Sequence, residues 1–132
     1  MKLLIAEDKS RSSNLEEFSE SLTKFGIECK IIGDLDIFKD DGLGEKYSKF
    51  FKTPQKFKKL IQEFQPDLVL VERVSQFASL VIKSKIPLAF FLLGDYWSEM
   101  EFGKKHCNSL KQKIQLSIKD HIAKQCFEGS TI

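Results

Sequence analysis

The chain has 132 residues, of which 42% are hydrophobic and 30% charged, and its formal net charge is +2 at neutral pH. This length fits a single domain over residues 1–132, and the composition is that of a folded protein with its own core. The small net charge disfavours nucleic acid as a partner, because nucleic-acid-binding domains are strongly basic.

Cysteine spacing favours a reducing compartment, and hydropathy bears on whether the chain spans a membrane. Three widely spaced cysteines do not resemble a disulfide framework. The longest uncharged run, residues 86–94, is far shorter than the ~20 residues of a membrane span, so no transmembrane segment is predicted. We expect a cytoplasmic protein, either free or peripheral at the inner face of the membrane.

The first half of the chain alternates between strand and helix patterns. Residues 2–6 form a continuous apolar run that predicts a strand buried on both faces. A capping box at Ser13 and apolar residues at helical spacing predict a helix that ends near Gly26. Residues 27–32 are predicted as a second strand. The acidic, glycine-containing stretch 33–52 is predicted as a long loop.

The second half repeats the alternation. Thr53 and Pro54 predict a helix start, and Pro66 stops that helix. The remaining predicted elements are a third strand at 67–72, a short helix at 75–84, a fourth strand at 87–93, a mostly helical stretch from 98 to about 124 with candidate breaks near Gly103 and Asn108, and a fifth strand beginning at Cys126 and Phe127. Four residues in that last helix are predicted to face the sheet: Leu110, Ile114, Ile118 and Ile122.

This order predicts an α/β fold, namely a three-layer α/β/α sandwich around a Rossmann-like parallel sheet of about five strands. Ligands of such sheets bind beyond the carboxyl ends of the strands. Three segments should therefore meet at one edge as candidate binding residues: Glu7 and Asp8 after the first strand, Glu72 and Arg73 after the third, and Gly94, Asp95, Tyr96 and Trp97 after the fourth.

The segment after the fourth strand is the sharpest local feature. Gly94 would let backbone approach a ligand, and Asp95 could accept a hydroxyl proton or hydrogen bond. Tyr96 and Trp97 could stack on a sugar or base. The alternative is a plain helix start, with Ser98 as the N-cap and both aromatic residues in the core.

The sequence predicts neither a metal nor a cofactor. Glu7 and Asp8 suit a hard cation, but no third ligand can be named. The spacing of the histidines and cysteines fits no standard zinc site: His106, Cys107, His121 and Cys126. Phosphate-binding glycine loops are also missing from the sequence.

The stretch LLIAEDKSRSSNLEEFSESL, residues 3–22, resembles the opening of a response-regulator receiver domain. That family implies a phosphorylatable Asp at the end of the third strand. Here Glu72 or Arg73 stands at that point, and Asp67 lies at the other end of the strand.

The stretch FKKLIQEFQPDLVLVERVSQFASLVIKSKIPLAFFLLGDYWSE, together with HIAKQCFEGSTI, resembles the N-terminal domain of a group-one, GT-B-fold glycosyltransferase. The sequence departs from the pattern of that family at two places. Residues 7–10 replace the glycines common after the first strand, and residues 90–93 stand where a His is common.

This second resemblance implies an acceptor-binding domain, with Asp95 orienting or deprotonating the acceptor hydroxyl. It implies a sugar or a lipid- or protein-linked acceptor, and a nucleotide-sugar donor held by a C-terminal domain outside this chain, without which the chain should not turn over. The alternative is a non-catalytic, receiver-like regulatory domain that binds a protein through its last helix. The donor sugar, the acceptor and the stereochemical outcome stay open.

Overall fold

The structure, a computed structural model, describes residues 1–8, 15–38, 53–92 and 94–130. The predicted capping residue Ser13 and most of the predicted loop at 33–52 lie outside these residues. The described elements are β1 (Lys2–Glu7), α1 (Leu15–Thr23), β2 (Glu28–Gly33), a short 3₁₀ turn (Asp36–Phe38), α2 (Gln55–Phe64), β3 (Leu68–Val71), α3 (Gln76–Lys83), β4 (Leu88–Phe90), α4 (Tyr96–His106) and α5 (Leu110–Gly129).

The strands form a parallel four-stranded sheet in the order β2-β1-β3-β4. The two central strands are β1 and β3, and Ile5 of β1 pairs with Ile31 of β2 and with Leu70 of β3. The chain order reverses between β1 and β3, and this switch point is where doubly wound sheets bind ligands. The predicted α/β class and parallel sheet are confirmed, and the arrangement is consistent with a Rossmann-like fold.

Alternating residues of the central strands build two cores, one on each face of the sheet. On one face Leu4, Val69 and Val71 pack with residues of α2, α3 and α5, including an edge-to-face pair of Phe57 and Phe77 with ring centroids 5.6 Å apart. On the other face Leu3 and Ile5 pack with Leu15 of α1. Helices therefore cover both faces of the sheet.

The predicted fifth strand is wrong. Cys126 and Phe127 lie inside α5, and the described sheet has four strands. The reason is local: Ser109 and Gln112 form a reciprocal capping box that starts a 20-residue helix, and Cys126 then lies on its buried face. The predicted helical stretch is two helices, because the chain leaves helical geometry at Cys107, next to the candidate break at Asn108.

Of the four residues in the predicted sheet-facing stripe of α5, one packs on the described core. Ile122 packs on the core, but Leu110 and Ile114 are exposed. The buried residues of α5 are Ala123 and Cys126, both in its C-terminal half. This half contacts α3 closely, since a Cβ built on Gly129 would lie 2.8 Å from Cγ2 of Ile82.

Gly129→Ala should therefore destabilise the fold, although alanine normally favours a helix over glycine. We expect a loss of about 1–3 kcal/mol in the free energy of unfolding, because the new methyl group must displace a branched side chain. Urea unfolding followed by circular dichroism measures this loss. Ser117→Ala, on the exposed part of the same helix, is the control and should be close to neutral. A Gly129→Ala variant as stable as that control would contradict the tight contact.

Candidate functional site

An ion cluster of Arg73, Asp8 and Asp34 joins the carboxyl ends of β1, β2 and β3. Arg73 Nη1 donates to Asp8 Oδ2 at 2.7 Å. Its Nε and Nη2 donate to the two oxygens of Asp34 at 2.8 and 2.9 Å. Both aspartates are buried, while the arginine side chain is 31% exposed. One side chain thus fixes three strand ends at the switch point.

These partners stabilise the protonated, charged form of Arg73. Its partial burial alone would lower the pKa of the guanidinium. The hydrogen bond to Asp34 and the charges of Asp34, Asp8 and Glu72 outweigh that effect, so the pKa is raised from its ordinary value. Arg73 therefore stays protonated, with each of its three nitrogens donating to a carboxylate.

Glu72 is the most deeply buried carboxylate of the site, with 2% of its surface exposed. Its Oε2 accepts a hydrogen bond from the backbone N–H of Asp8 at 2.9 Å, which ties β3 to β1 once more. Its Oε1 is buried and has no hydrogen-bond partner in the described part of the chain. An unpaired buried acceptor is costly, so it marks a place where a ligand donor would be favourable.

A cleft of about 370 Å³ opens next to this cluster, at the carboxyl ends of β3 and β4. The starts of α3 and α4 and the middle of α5 complete its walls. Its lining includes Glu72, Arg73, Gly94, Tyr96, Glu99 and Lys119. The volume lies in the range of small-molecule sites.

Gly94 forms part of the mouth of the cleft. Its φ of +118° is a conformation that side chains rarely tolerate. A Cβ at this position would lie 3.4 Å from Oε1 of Glu99, in contact with that carboxylate.

Tyr96 and Trp97 have different surroundings. Tyr96 lines the cleft, and its hydroxyl donates to the backbone carbonyl of Lys119 at 3.3 Å. Partial burial, helped by the charge of Asp120, raises the pKa of this phenol. Trp97 is half exposed and lies outside the described lining, with its ring centroid 5.5 Å from that of Phe127. The described cleft therefore presents one aromatic ring to a ligand.

Asp95 is the N-cap of α4. Its carboxylate accepts from the backbone N–H groups of Trp97 and Ser98 at 3.1 and 3.3 Å and from the Ser98 hydroxyl. The helix therefore starts at Asp95, three residues before the N-cap of our alternative interpretation. The hydrogen bonds from the Ser98 side chain and backbone lower the pKa of this exposed carboxyl. A lowered pKa makes a carboxylate a weaker base at neutral pH.

The cap makes stability depend on pH. The folded-state pKa of Asp95 lies below the unfolded value of about 3.9, so the cap stabilises the fold fully above that value and loses this effect as the pH falls through the folded pKa. We expect Asp95→Ala to lower the thermal midpoint at pH 7, and the difference from wild type to shrink below about pH 4.

Circular dichroism melts between pH 3 and 7 measure this difference. Asp95→Asn is the matched control, because asparagine caps helices well without a titrating group. An Asp95→Ala difference that stays constant across this range would contradict the charged cap.

The eight predicted site residues fall into two groups. Glu72, Arg73, Gly94 and Tyr96 line the cleft. Four others lie outside its described lining: Glu7, Asp8, Asp95 and Trp97. Of these, Asp8 supports the cleft through Arg73 and Glu72.

Three charged residues of the site were not predicted: Asp34, Glu99 and Lys119. Asp34 follows β2 directly, so the strand-end reasoning that selected Asp8 also applies to it. Glu99 lies four residues after Asp95, one helical turn into the cleft wall. Lys119 carried no such signal, because its place in the wall depends on how α5 packs.

The described residues contain no group of three or more His, Cys, Asp or Glu side chains placed to hold a metal ion. Two of the carboxylates at the switch point bind Arg73 instead. Burial raises the pKa of the Cys126 thiol to about 11, so this cysteine stays protonated.

Comparison of the chain with protein-family models, with curated proteins and with solved structures finds no match. Within the described ranges, no helix has both the length and the apolarity needed to cross a membrane.

The ion cluster is expected to contribute strongly to stability. Arg73→Met removes the cation that pairs with two buried aspartates, which should cost about 2–4 kcal/mol of unfolding free energy after allowance for the partial exposure of the arginine. Urea unfolding at pH 7 measures this cost. Lys59→Met breaks an exposed pair with Glu63 and should cost about 0.5 kcal/mol or less. Equal losses in the two variants would show that the cluster does not hold the strand ends.

Proposed function

We propose that the chain is the acceptor-binding domain of a glycosyltransferase that uses a nucleotide-sugar donor. The observation that carries this proposal is the cleft at the carboxyl ends of β3 and β4, which four of the predicted site residues line. It lies on the rim where parallel α/β sheets bind their ligands. The resemblance of residues 57–99 to group-one glycosyltransferases supplies the reaction class.

The lining of the cleft suits a polyhydroxylated ligand. Carboxylates of Glu72 and Glu99 accept hydrogen bonds from hydroxyl groups, and the ammonium of Lys119 donates them. The ring of Tyr96 offers an apolar surface for the C–H groups of a sugar. A volume of about 370 Å³ is enough for a small saccharide.

Two acids have different roles in this proposal. Glu99 is the candidate general base, because it lines the cleft in the first turn of α4, and a base must reach the hydroxyl that it deprotonates. Asp95, the base suggested by the sequence, holds the same turn as its N-cap and acts as a positioning residue. The donor would be held by a second domain, as the family resemblance implies.

The receiver-like alternative has less support in the geometry. The strand order fits that fold as well. However, Asp8 and Glu72 are both buried, and both are engaged in contacts at the strand ends. Asp67 lies before β3, at the amino end of the sheet, where its carboxylate accepts from the backbone N–H of Lys2 at 2.7 Å.

Saturation-transfer NMR on the 132-residue chain tests the proposal. A panel of neutral, N-acetylated and amino monosaccharides is compared with UDP-glucose. We expect at least one monosaccharide to receive saturation, with a dissociation constant on the order of 1 mM. The uridine protons of UDP-glucose should receive none, because the proposed domain binds the acceptor.

Glu99→Ala should weaken the saccharide signal several-fold. Glu101→Ala is the matched control, since Glu101 lies on the same helix, is exposed and pairs with Lys105. Failure of every saccharide to bind, or binding of UDP-glucose in preference to all of them, would overturn the proposal.

A further inference from the structure

One residue of the cleft lining, Glu72, carries a buried acceptor that nothing in the described protein satisfies. Glu72 lines the cleft, and 2% of its surface is exposed. Its Oε2 is used by the backbone of Asp8, but Oε1 has no partner among the described residues. A ligand that placed an N–H or O–H donor at Oε1 would remove the cost of this unpaired oxygen.

The charge around the cleft is negative. Arg73 lines it, but its three nitrogens already donate to Asp8 and Asp34. Because the charge of Arg73 is engaged by the aspartates, the carboxylates of Glu72 and Glu99 face one other cation in the described lining, Lys119. Such a surplus favours a cationic ligand and opposes a phosphate or carboxylate.

We infer that the acceptor is an amino sugar, whose protonated amine donates to Oε1 of Glu72. This inference rests on the proposed function and names the substrate class of that site. The amine supplies both the missing donor and the missing positive charge. Charge-assisted hydrogen bonds of this kind are roughly twice as strong as neutral ones.

The selectivity should be visible among sugars of similar size. The ¹⁵N-labelled chain is titrated at about pH 6, where an amine is protonated and surface carboxylates are ionised. The probes are glucosamine, glucose, N-acetylglucosamine and glucose 6-phosphate. We expect glucosamine to bind about 10-fold more tightly than glucose or N-acetylglucosamine, and glucose 6-phosphate to bind most weakly. The shifted amides should be those of cleft residues such as Gly94, Tyr96 and Lys119.

Glu72→Gln tests the assigned atom. It keeps the side-chain volume and an oxygen for the N–H of Asp8, but it removes the charge. The preference for glucosamine over glucose should fall to about 2-fold or less. Glu99→Gln, at the exposed mouth, should reduce the preference several-fold, and Glu101→Gln should leave it unchanged. If Glu72→Gln fails to fold, the contrast between Glu99→Gln and Glu101→Gln decides, and equal preferences in those two variants would overturn the inference.

The outcomes separate this inference from the proposed function. Equal affinity for glucosamine and glucose would overturn the amino-sugar assignment and leave an acceptor site in place. Ethanolamine binding as tightly as glucosamine would also overturn it, because the site would then recognise an amine without the sugar. Absence of binding by every monosaccharide would overturn the proposed function itself.

Discussion

The bond between Arg73 and its two aspartates is the interaction on which the rest of the site depends. Backbone hydrogen bonds space the strands up to Glu7, Gly33 and Val71, but parallel strands have no turns that join the segments leaving their carboxyl ends. Arg73 joins these segments by donating to Asp8 after β1 and to Asp34 after β2 from its own place after β3. The guanidinium fork suits this task, because it reaches one carboxylate with two nitrogens and another with the third. Glu72 can then lie buried beside the cluster and face the cleft.

Much of the fold could be predicted because the strands carry a strong signal. Fully buried strands such as β1 and β3 are short apolar runs, and the helices between them leave little choice but a parallel sheet. The prediction of a fifth strand failed because two apolar residues, Cys126 and Phe127, are too short a pattern to distinguish a strand from the buried face of a helix. Periodicity was also a poor guide at α1, because Phe18 of that helix and Phe25 just after it follow the helical spacing but are exposed.

The site was predictable to the extent that it depends on strand ends. Glu72, Arg73 and Gly94 were selected because topology brings such residues to one edge, and all three line the cleft. The hydrogen-bond partners of the site residues could not be predicted from the strand order. The partner of Arg73, Asp34, is 39 residues away in the chain, and the N-cap role of Asp95 is decided by where α4 starts. These are properties of packing and hydrogen-bond geometry rather than of residue spacing.

The cleft has two walls of different origin, and this has an evolutionary consequence. The sheet supplies Glu72 and Arg73, which also hold strand ends, so a substitution there disturbs folding and recognition together. Helices α4 and α5 supply Glu99 and Lys119, both exposed and outside the two cores. Selection can therefore alter this second wall at little cost in stability. A protein built this way can acquire new ligand preferences by drift on its helical side while the strand side stays constrained.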